Sequence, residues 1–204
     1  MPRIRATSIE EHKTLTRRAL LESAKELIAD AGTAEIPLGE IALAAGVGRT
    51  TLYDYFTDRD DLIATLVAEE LPGVVEDLIT NSSRSGSPPD RLVELAVRTV
   101  EFVVSDPVLG LILHREAGRM GLDAQLRIRA AHSTLADAMV ALYFQGVENG
   151  DFRSMPPEFA GRLIQDTIMS AARSVISAQD PQDRIGEVTH HLRVFLIGGL
   201  SYER

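Results

Sequence analysis

The sequence contains no cysteine, no long apolar run and no excess of basic residues. The absence of cysteine excludes disulfides, thiolate metal ligands and cysteine nucleophiles. No apolar run approaches the roughly 20 residues that a membrane-spanning helix needs, and residues 1–13 lack the hydrophobic core of a signal peptide. We therefore expect a cytoplasmic protein without a membrane partner.

The net charge of −9 would by itself argue against nucleic acid as a partner. The charge is uneven, however, because residues 1–18 hold five basic residues against two glutamates, a local balance of 5 − 2 = +3. A basic arm on an acidic body would keep non-specific binding weak and place the attraction at the contact surface. A solvated, disordered tail explains this composition equally well. The basic residues are Arg3, Arg5, Lys13, Arg17 and Arg18.

The hydrophobic content of 45% and charged content of 25% are those of a globular protein. Apolar residues recur at helical spacing almost throughout, so we predict an all-α fold. Gly32 is expected to end the first helix, Pro37 to open the second, and Gly46 to break it. Residues 81–90 are interpreted as a linker. Further helices are predicted at about 49–55, 58–80, 91–105, 107–120, 122–149, 157–178 and 181–198.

The segment around Gly46 has the features of a helix-turn-helix. Two helices of about eight residues are not stable alone in water, so they must pack as a unit with the first helix. In a helix-turn-helix the second of these helices lies in the DNA major groove. Leu52 and Phe56 would face inward and leave a polar surface that suits bases and phosphates. A plain helical bundle is the alternative. The predicted DNA contacts on this helix are Arg49, Thr50, Thr51, Tyr53 and Tyr55.

The stretch EIALAAGVGRTTLYDYFTDRDDLI resembles the TetR family of bacterial transcriptional regulators, and the resemblance is specific over about residues 16–63. It implies a homodimer with two domains in each chain, at 1–57 and 58–204. The first, a three-helix domain, would bind palindromic double-stranded operator DNA. The second, a larger helical bundle, would bind a small effector and form the dimer. The resemblance also places Arg17, Gly48 and Arg59 at the DNA.

Several positions depart from the family pattern. Gly48 stands where a serine or threonine usually caps the recognition helix, and Asp54 stands where a basic residue or histidine is frequent. Ile36 and Pro37 replace a hydroxyl residue at the start of the second helix. Arg59 replaces a lysine and keeps its charge. We expect these changes to affect the operator sequence more than DNA binding itself.

Aromatic, methionine and histidine residues on the C-terminal helices are candidates for an effector pocket, although most such residues form core in helical bundles. The sequence does not separate these two roles. No metal, cofactor or catalytic site is predicted. The adjacent His190 and His191 cannot face a common ion, and His132 lacks the nucleophile elbow of a hydrolase. The pocket candidates are Phe102, Leu113, His114, Met120, Met139, Tyr143 and Met169.

The last two helices carry apolar stripes at spacings of three and four residues. Such stripes, with small residues beside them, suit a four-helix interface between two chains. A helix hairpin buried within one chain is the alternative. The predicted interface residues are Ile164, Ile168, Ala171, Val175, Val188, Leu192 and Phe195.

These patterns favour a ligand-responsive transcriptional repressor that a small, mostly apolar effector releases from DNA. The predicted helix at 58–80 would connect the DNA to the effector domain, so tilting it would change the spacing of the two recognition helices. A small-molecule enzyme or carrier with an incidental helix-turn-helix is the alternative, but the sequence offers no catalytic constellation. A constitutive architectural DNA binder would need a more basic chain.

Overall fold

The structure, a computed structural model, describes residues 6–82 and 85–202, except for the side chains of residues 6–8. Within these ranges the chain is all-α, as predicted, and strand-like pairing is limited to one bridge between Phe152 and Ser201. Among the described helices, none has the length and apolar character that crossing a membrane requires. The α-helices are α1 Ala6–Ala31, α2 Leu38–Ala44, α3 Arg49–Tyr53, α4 Arg59–Asn81, α5 Pro88–Ser105, α6 Pro107–Leu111, α7 Leu122–Glu148, α8 Pro157–Ile176 and α9 Pro181–Leu200.

The first three helices pack around a small apolar core. Leu20 of α1 and Leu52 of α3 are fully buried, and Phe56 closes the core after α3. Gly32 and Gly46 have φ values of +62° and +68°, a left-handed conformation that glycine adopts without the steric cost of a Cβ. Both glycines end helices as predicted, and Pro37 precedes the first residue of α2. α3 therefore sits on a compact support and presents its other face outward.

α4 belongs to both parts of the molecule. Its N-terminus is capped by Asp58, whose side chain accepts a hydrogen bond from the backbone N–H of Asp61 at 2.8 Å. Along its length α4 buries residues from Leu62 to Val75, and it packs against α7 of the C-terminal bundle. A displacement of α4 within the bundle would consequently move the support of α3.

Two predictions about the middle of the chain were wrong in detail. The linker is shorter than 81–90, because α5 already begins at Pro88 with Ser87 and Asp90 forming a capping box; proline fits the first turn, where no helical N–H is needed. Residues 83–84 lie outside the described part.

The segment 107–120 is not one α-helix. It runs from α6 into a π-helical turn, Ile112–Glu116, and a 3₁₀ turn, Ala117–Arg119. α6 lies close to α5 at Gly110, where a Cβ would lie 2.9 Å from the carbonyl oxygen of Val103. The absence of a side chain on Gly110 therefore allows this close approach. π-helical turns are rare in proteins, and those that occur often lie at functional sites. This turn is therefore a candidate functional position beside the bundle core.

Candidate DNA interface and ligand cavity

The outer face of α3 is polar and accessible. Leu52 faces inward as predicted, whereas Arg49, Thr50 and Tyr53 are exposed. Thr51 and Tyr55 are half-buried beside them. Gly48 is the N-cap and provides no side-chain hydrogen bond, so the backbone N–H groups at the start of α3 have no cap from that residue. The side chains predicted to contact DNA therefore share one surface.

Arg49 and Tyr53 form a pair on this surface. The guanidinium carbon of Arg49 lies 5.9 Å from the centre of the Tyr53 ring, and an Arg49 nitrogen lies 3.5 Å from the tyrosine hydroxyl. This contact is at the limit of a hydrogen bond. The two side chains consequently orient each other without being locked, and both remain available to a partner.

The other predicted DNA-binding arginines are partly engaged within the chain. Arg17 of α1 pairs with Glu69 of α4, and Arg59 lies 3.6 Å from an oxygen of Asp60. Arg17 nevertheless lines an open groove between α1 and α3, together with Lys13, Gly48, Thr51 and Tyr55. Arg3 and Arg5 lie outside the described residues, whereas α1 begins at Ala6. The alternative interpretation of residues 1–18 as a disordered tail is therefore wrong from Ala6 onward, because the chain is helical there.

A carboxylate network joins the end of the helix-turn-helix to α7. Oδ2 of Asp61 accepts from the backbone N–H of Thr57 at 2.9 Å, and Oδ1 accepts from Arg127 at 2.6 Å. Arg127 also donates to the hydroxyl of Thr65. Burial alone would raise the pKa of Asp61, but these hydrogen bonds and the positive charge of Arg127 outweigh it, so the pKa is lowered. Sequence analysis missed this network, because its main partners lie 66 residues apart.

A second ionic contact joins α1 to the rest of the molecule. Lys25 donates to carboxylates of Glu70 in α4 and of Asp106, the residue that caps α6. Burial alone would lower the pKa of Lys25, but the two carboxylates outweigh it and raise the pKa. The first helix is thus tied to two elements of the C-terminal bundle.

The C-terminal bundle encloses a mainly apolar cavity of about 70 Å³ between α4, α5, α7, α8 and the π-helical turn. Five of the seven predicted pocket residues line it: Phe102, Leu113, His114, Met139 and Met169.

The other two predicted pocket residues, Tyr143 and Met120, do not line this cavity. The Tyr143 hydroxyl donates to the carbonyl of Arg153 at 2.8 Å and accepts from the N–H of Met155 at 3.0 Å. Tyr143 therefore fixes the connection between α7 and α8. Met120 is buried at the turn before α7, where its carbonyl accepts from Gln125. Periodicity indicates which side chains are buried but not whether a void lies beside them.

Four of the seven residues predicted at the dimer interface lie on the inner faces of α8 and α9 and not on their outer faces. Ile164, Ile168, Val175 and Leu192 are at most 4% exposed in the single chain, so these side chains pack inside the protomer and are not available to a partner. Their stripes correspond to the alternative, a hairpin buried within one chain.

The remaining predicted interface residues lie on the outer side of α8 and α9. Ala171 and Val188 are partly exposed, and Phe195 is 60% exposed. They line an open groove with Ser170 and other residues of the two helices. An exposed phenylalanine beside small residues is the kind of surface that a partner covers. Within the described residues, no group of three or more His, Asp or Glu side chains could hold a metal ion.

The geometry defines a class of protein, namely an all-helical helix-turn-helix protein with an internal cavity. Residues 20–66 match the family model "Bacterial regulatory proteins, tetR family". Over 129 residues the chain is 36% identical to the HTH-type transcriptional repressor LfrR of Mycolicibacterium smegmatis. This matched segment covers 63% of this chain and 57% of LfrR. Residues 20–66 thus form a helix-turn-helix domain of the TetR family, and the chain resembles transcriptional regulators of that family over most of its length.

Solved structures agree with this fold over nearly the whole chain. FadR of Bacillus subtilis was solved in complex with stearoyl-CoA and is 18% identical to this chain, with a TM-score of 0.74. The superposition covers 89% of this chain and 98% of the FadR chain. RolR was solved with resorcinol and is 19% identical to this chain, with a TM-score of 0.65. The superposition covers 95% of this chain and 98% of the RolR chain. At these identities the comparison establishes the fold.

Proposed function

We propose that this protein is a homodimeric, ligand-responsive repressor that binds palindromic operator DNA through α3 and is released by a small, mostly apolar molecule in the C-terminal cavity. The observation that carries the proposal is the polar, exposed face of α3 on a rigid apolar support, joined by α4 to a bundle that contains a cavity. In this scheme residues 1–57 bind DNA and residues 58–204 bind the ligand and form the dimer.

The chemistry of α3 supports DNA contact. Arg49 can read guanine with two hydrogen bonds, Thr50 and Thr51 can contact phosphate or a thymine methyl, and the tyrosine hydroxyls suit phosphate oxygens. α3 is short, so each chain would read few bases. Two chains that present two copies of α3 to successive major grooves would bind far more tightly than one.

The outer surface of α8 and α9 supports the dimer. Phe195 and its neighbour Val194 are both more than half exposed, and burying them against a second copy would remove apolar surface from water. A two-fold axis would place the same patch of each chain against the other. The dimer would then fix the distance between the two α3 helices.

The cavity and the Asp61–Arg127 network support the response to a ligand. FadR and RolR of the same fold were solved with stearoyl-CoA and resorcinol, which are chemically unlike, so the fold accommodates different molecules. α7 lines the cavity and carries Arg127. A ligand that shifts α7 or α4 would change the support of α3 and thereby bias the protein away from the DNA-bound geometry.

The experiment is a footprint with purified protein on the DNA flanking its own coding region, followed by fluorescence anisotropy on the protected sequence. We expect a protected site with two-fold symmetry and binding that weakens as salt rises. Absence of any protected site, or protection of a single asymmetric half-site by a monomer, would contradict the proposal.

A further inference from the structure

The cavity wall contains two imidazoles and no charged side chain. His114 from the π-helical turn and His132 from α7 both line it. The lining residues, all in the described part of the chain, include no aspartate, glutamate, lysine or arginine. The other polar lining residues are Thr99, whose hydroxyl already donates to the Leu95 carbonyl at 2.7 Å, and Gln165. An ionised ligand would therefore find no opposite charge on the wall, and burying its charge would be costly.

The hydrogen-bonding role of His132 follows from its neighbour. Its Nδ1 lies 3.0 Å from the carbonyl oxygen of Ile128. A carbonyl only accepts, so Nδ1 carries the proton and donates. Burial lowers the pKa of His132 despite this hydrogen bond, which favours the neutral ring. In a neutral ring with a protonated Nδ1, Nε2 is an acceptor. His132 therefore provides an acceptor for a ligand that carries a donor.

His114 provides an unpartnered polar atom at the same wall. Its Nδ1 is buried and has no hydrogen-bond partner. Burial, with smaller contributions from His132 and from Arg173, lowers the pKa of His114 to about 4, so the ring is neutral at neutral pH. Arg173 itself is exposed and does not line the cavity. Buried polar atoms are normally paired, and leaving one unpaired costs free energy that a suitable ligand would recover.

We infer that the cavity binds an uncharged, mainly apolar molecule with a hydroxyl group, of which a substituted phenol is the simplest form, and that His114 and His132 recognise the hydroxyl. The inference rests on the proposed function, since it gives the chemical class of the effector. A hydroxyl both donates and accepts, so it can donate to Nε2 of His132 and accept from the ring N–H of His114. A carboxylate would offer His132 no donor, and an ammonium would meet no acidic side chain.

The size of the cavity limits the ligand further. Its volume of about 70 Å³ is smaller than the roughly 150 Å³ of an engineered cavity that binds benzene. A single-ring ligand therefore enters only if side chains move aside. Met139 and Met169 line the cavity, and methionine side chains adapt readily because they are unbranched and flexible. Single-ring compounds are accordingly the appropriate probes.

The test is isothermal titration calorimetry of the full chain without DNA, at neutral pH, with three probes of similar shape. These are para-ethylphenol, para-ethyltoluene, in which a methyl replaces the hydroxyl, and para-ethylbenzoate, which is an anion. We expect the phenol to bind at least roughly tenfold more tightly than the toluene, since the hydroxyl satisfies both histidines and the methyl satisfies neither, and the benzoate to bind more weakly than the phenol.

A histidine variant locates the preference. In His114→Leu we expect the advantage of the phenol over the toluene to shrink, because the hydroxyl loses one of its two hydrogen bonds. His12→Leu, which changes an exposed histidine on α1, should bind like the original protein. Equal affinities for the phenol and the toluene in the original protein would overturn the inference, as would tighter binding of the benzoate or no binding of the phenol. The selectivity of the original protein decides the matter even if His114→Leu does not fold. Because no DNA is present, failure of the repressor assignment would leave this titration unchanged and would show only in the footprint.

Discussion

Arg127 in α7 donates a hydrogen bond to the Asp61 carboxylate in the first turn of α4 at 2.6 Å. The other oxygen of the same carboxylate accepts from the backbone N–H of Thr57, shortly after α3. One carboxylate thus joins the chain that leaves the recognition helix to a helix of the cavity wall. This connection links the two proposed functional regions directly, and it makes Arg127 the first position to test.

Replacing Arg127 with alanine should destabilise the protein. The Asp61 carboxylate, about a quarter exposed, would lose its charged partner, so we expect the free energy of unfolding to fall by about 1–2 kcal/mol. Urea unfolding followed by circular dichroism measures this. Arg129→Ala is the matched control, since Arg129 lies on the same helix and is exposed. Equal midpoints for the two variants would show that the network contributes nothing to stability.

The face of α3 yields the second prediction. Tyr53→Ala and Thr51→Ala should each weaken operator binding by about 1–3 kcal/mol, because each loses a phosphate or base contact. Circular dichroism and light scattering should be unchanged, since Tyr53 is 46% exposed and supports little of the core. Fluorescence anisotropy at one salt concentration gives the affinities. Tyr202→Ala, at an exposed tyrosine outside the helix-turn-helix, is the control, and unchanged affinity in both α3 variants would remove α3 from the interface.

How much of this could be predicted from the sequence depends on the range of the interactions. The inward position of Leu52 and the helix ends at Gly32 and Gly46 are local, and all three were predicted correctly. The stripe containing Ile164 and Ile168 was identified as apolar, but periodicity does not tell whether a helix face is covered by its own chain or by another. The Asp61–Arg127 contact and the cavity depend on distant parts of the chain.

The half-buried imidazole of His114 predicts how the stability of the protein depends on pH. Its pKa is about 4 in the folded protein against an ordinary value of 6.5, so the unfolded chain binds more protons between these values. The contribution of His114 to the free energy of unfolding is therefore fully present above about pH 6.5 and is lost as the pH falls towards 4. From pH 7 to pH 5 we expect the loss that His114 causes to be about 2 kcal/mol.

Urea unfolding of His114→Leu at the same two pH values measures this contribution. The variant should lose less stability on acidification than the original protein, whereas His12→Leu should lose as much. The remaining loss in His114→Leu includes that of His132, whose pKa burial also lowers. An identical loss in the original protein and in His114→Leu would mean that His114 is accessible to protons in the folded state.

The last prediction concerns the dimer and uses the corrected register. Phe195 is 60% exposed in the single chain, so Phe195→Glu leaves the core of each protomer intact. If two chains meet on the outer side of α8 and α9, the change buries two carboxylates in an apolar interface, which desolvation opposes. Ala171→Glu, in the same groove, should act in the same direction. We expect both variants to be folded monomers by light scattering and to bind the operator far more weakly, because each monomer contacts one half-site.

Leu122→Glu, which changes an exposed leucine at the start of α7, should remain dimeric. A stable dimer in both variants would place the interface on another surface.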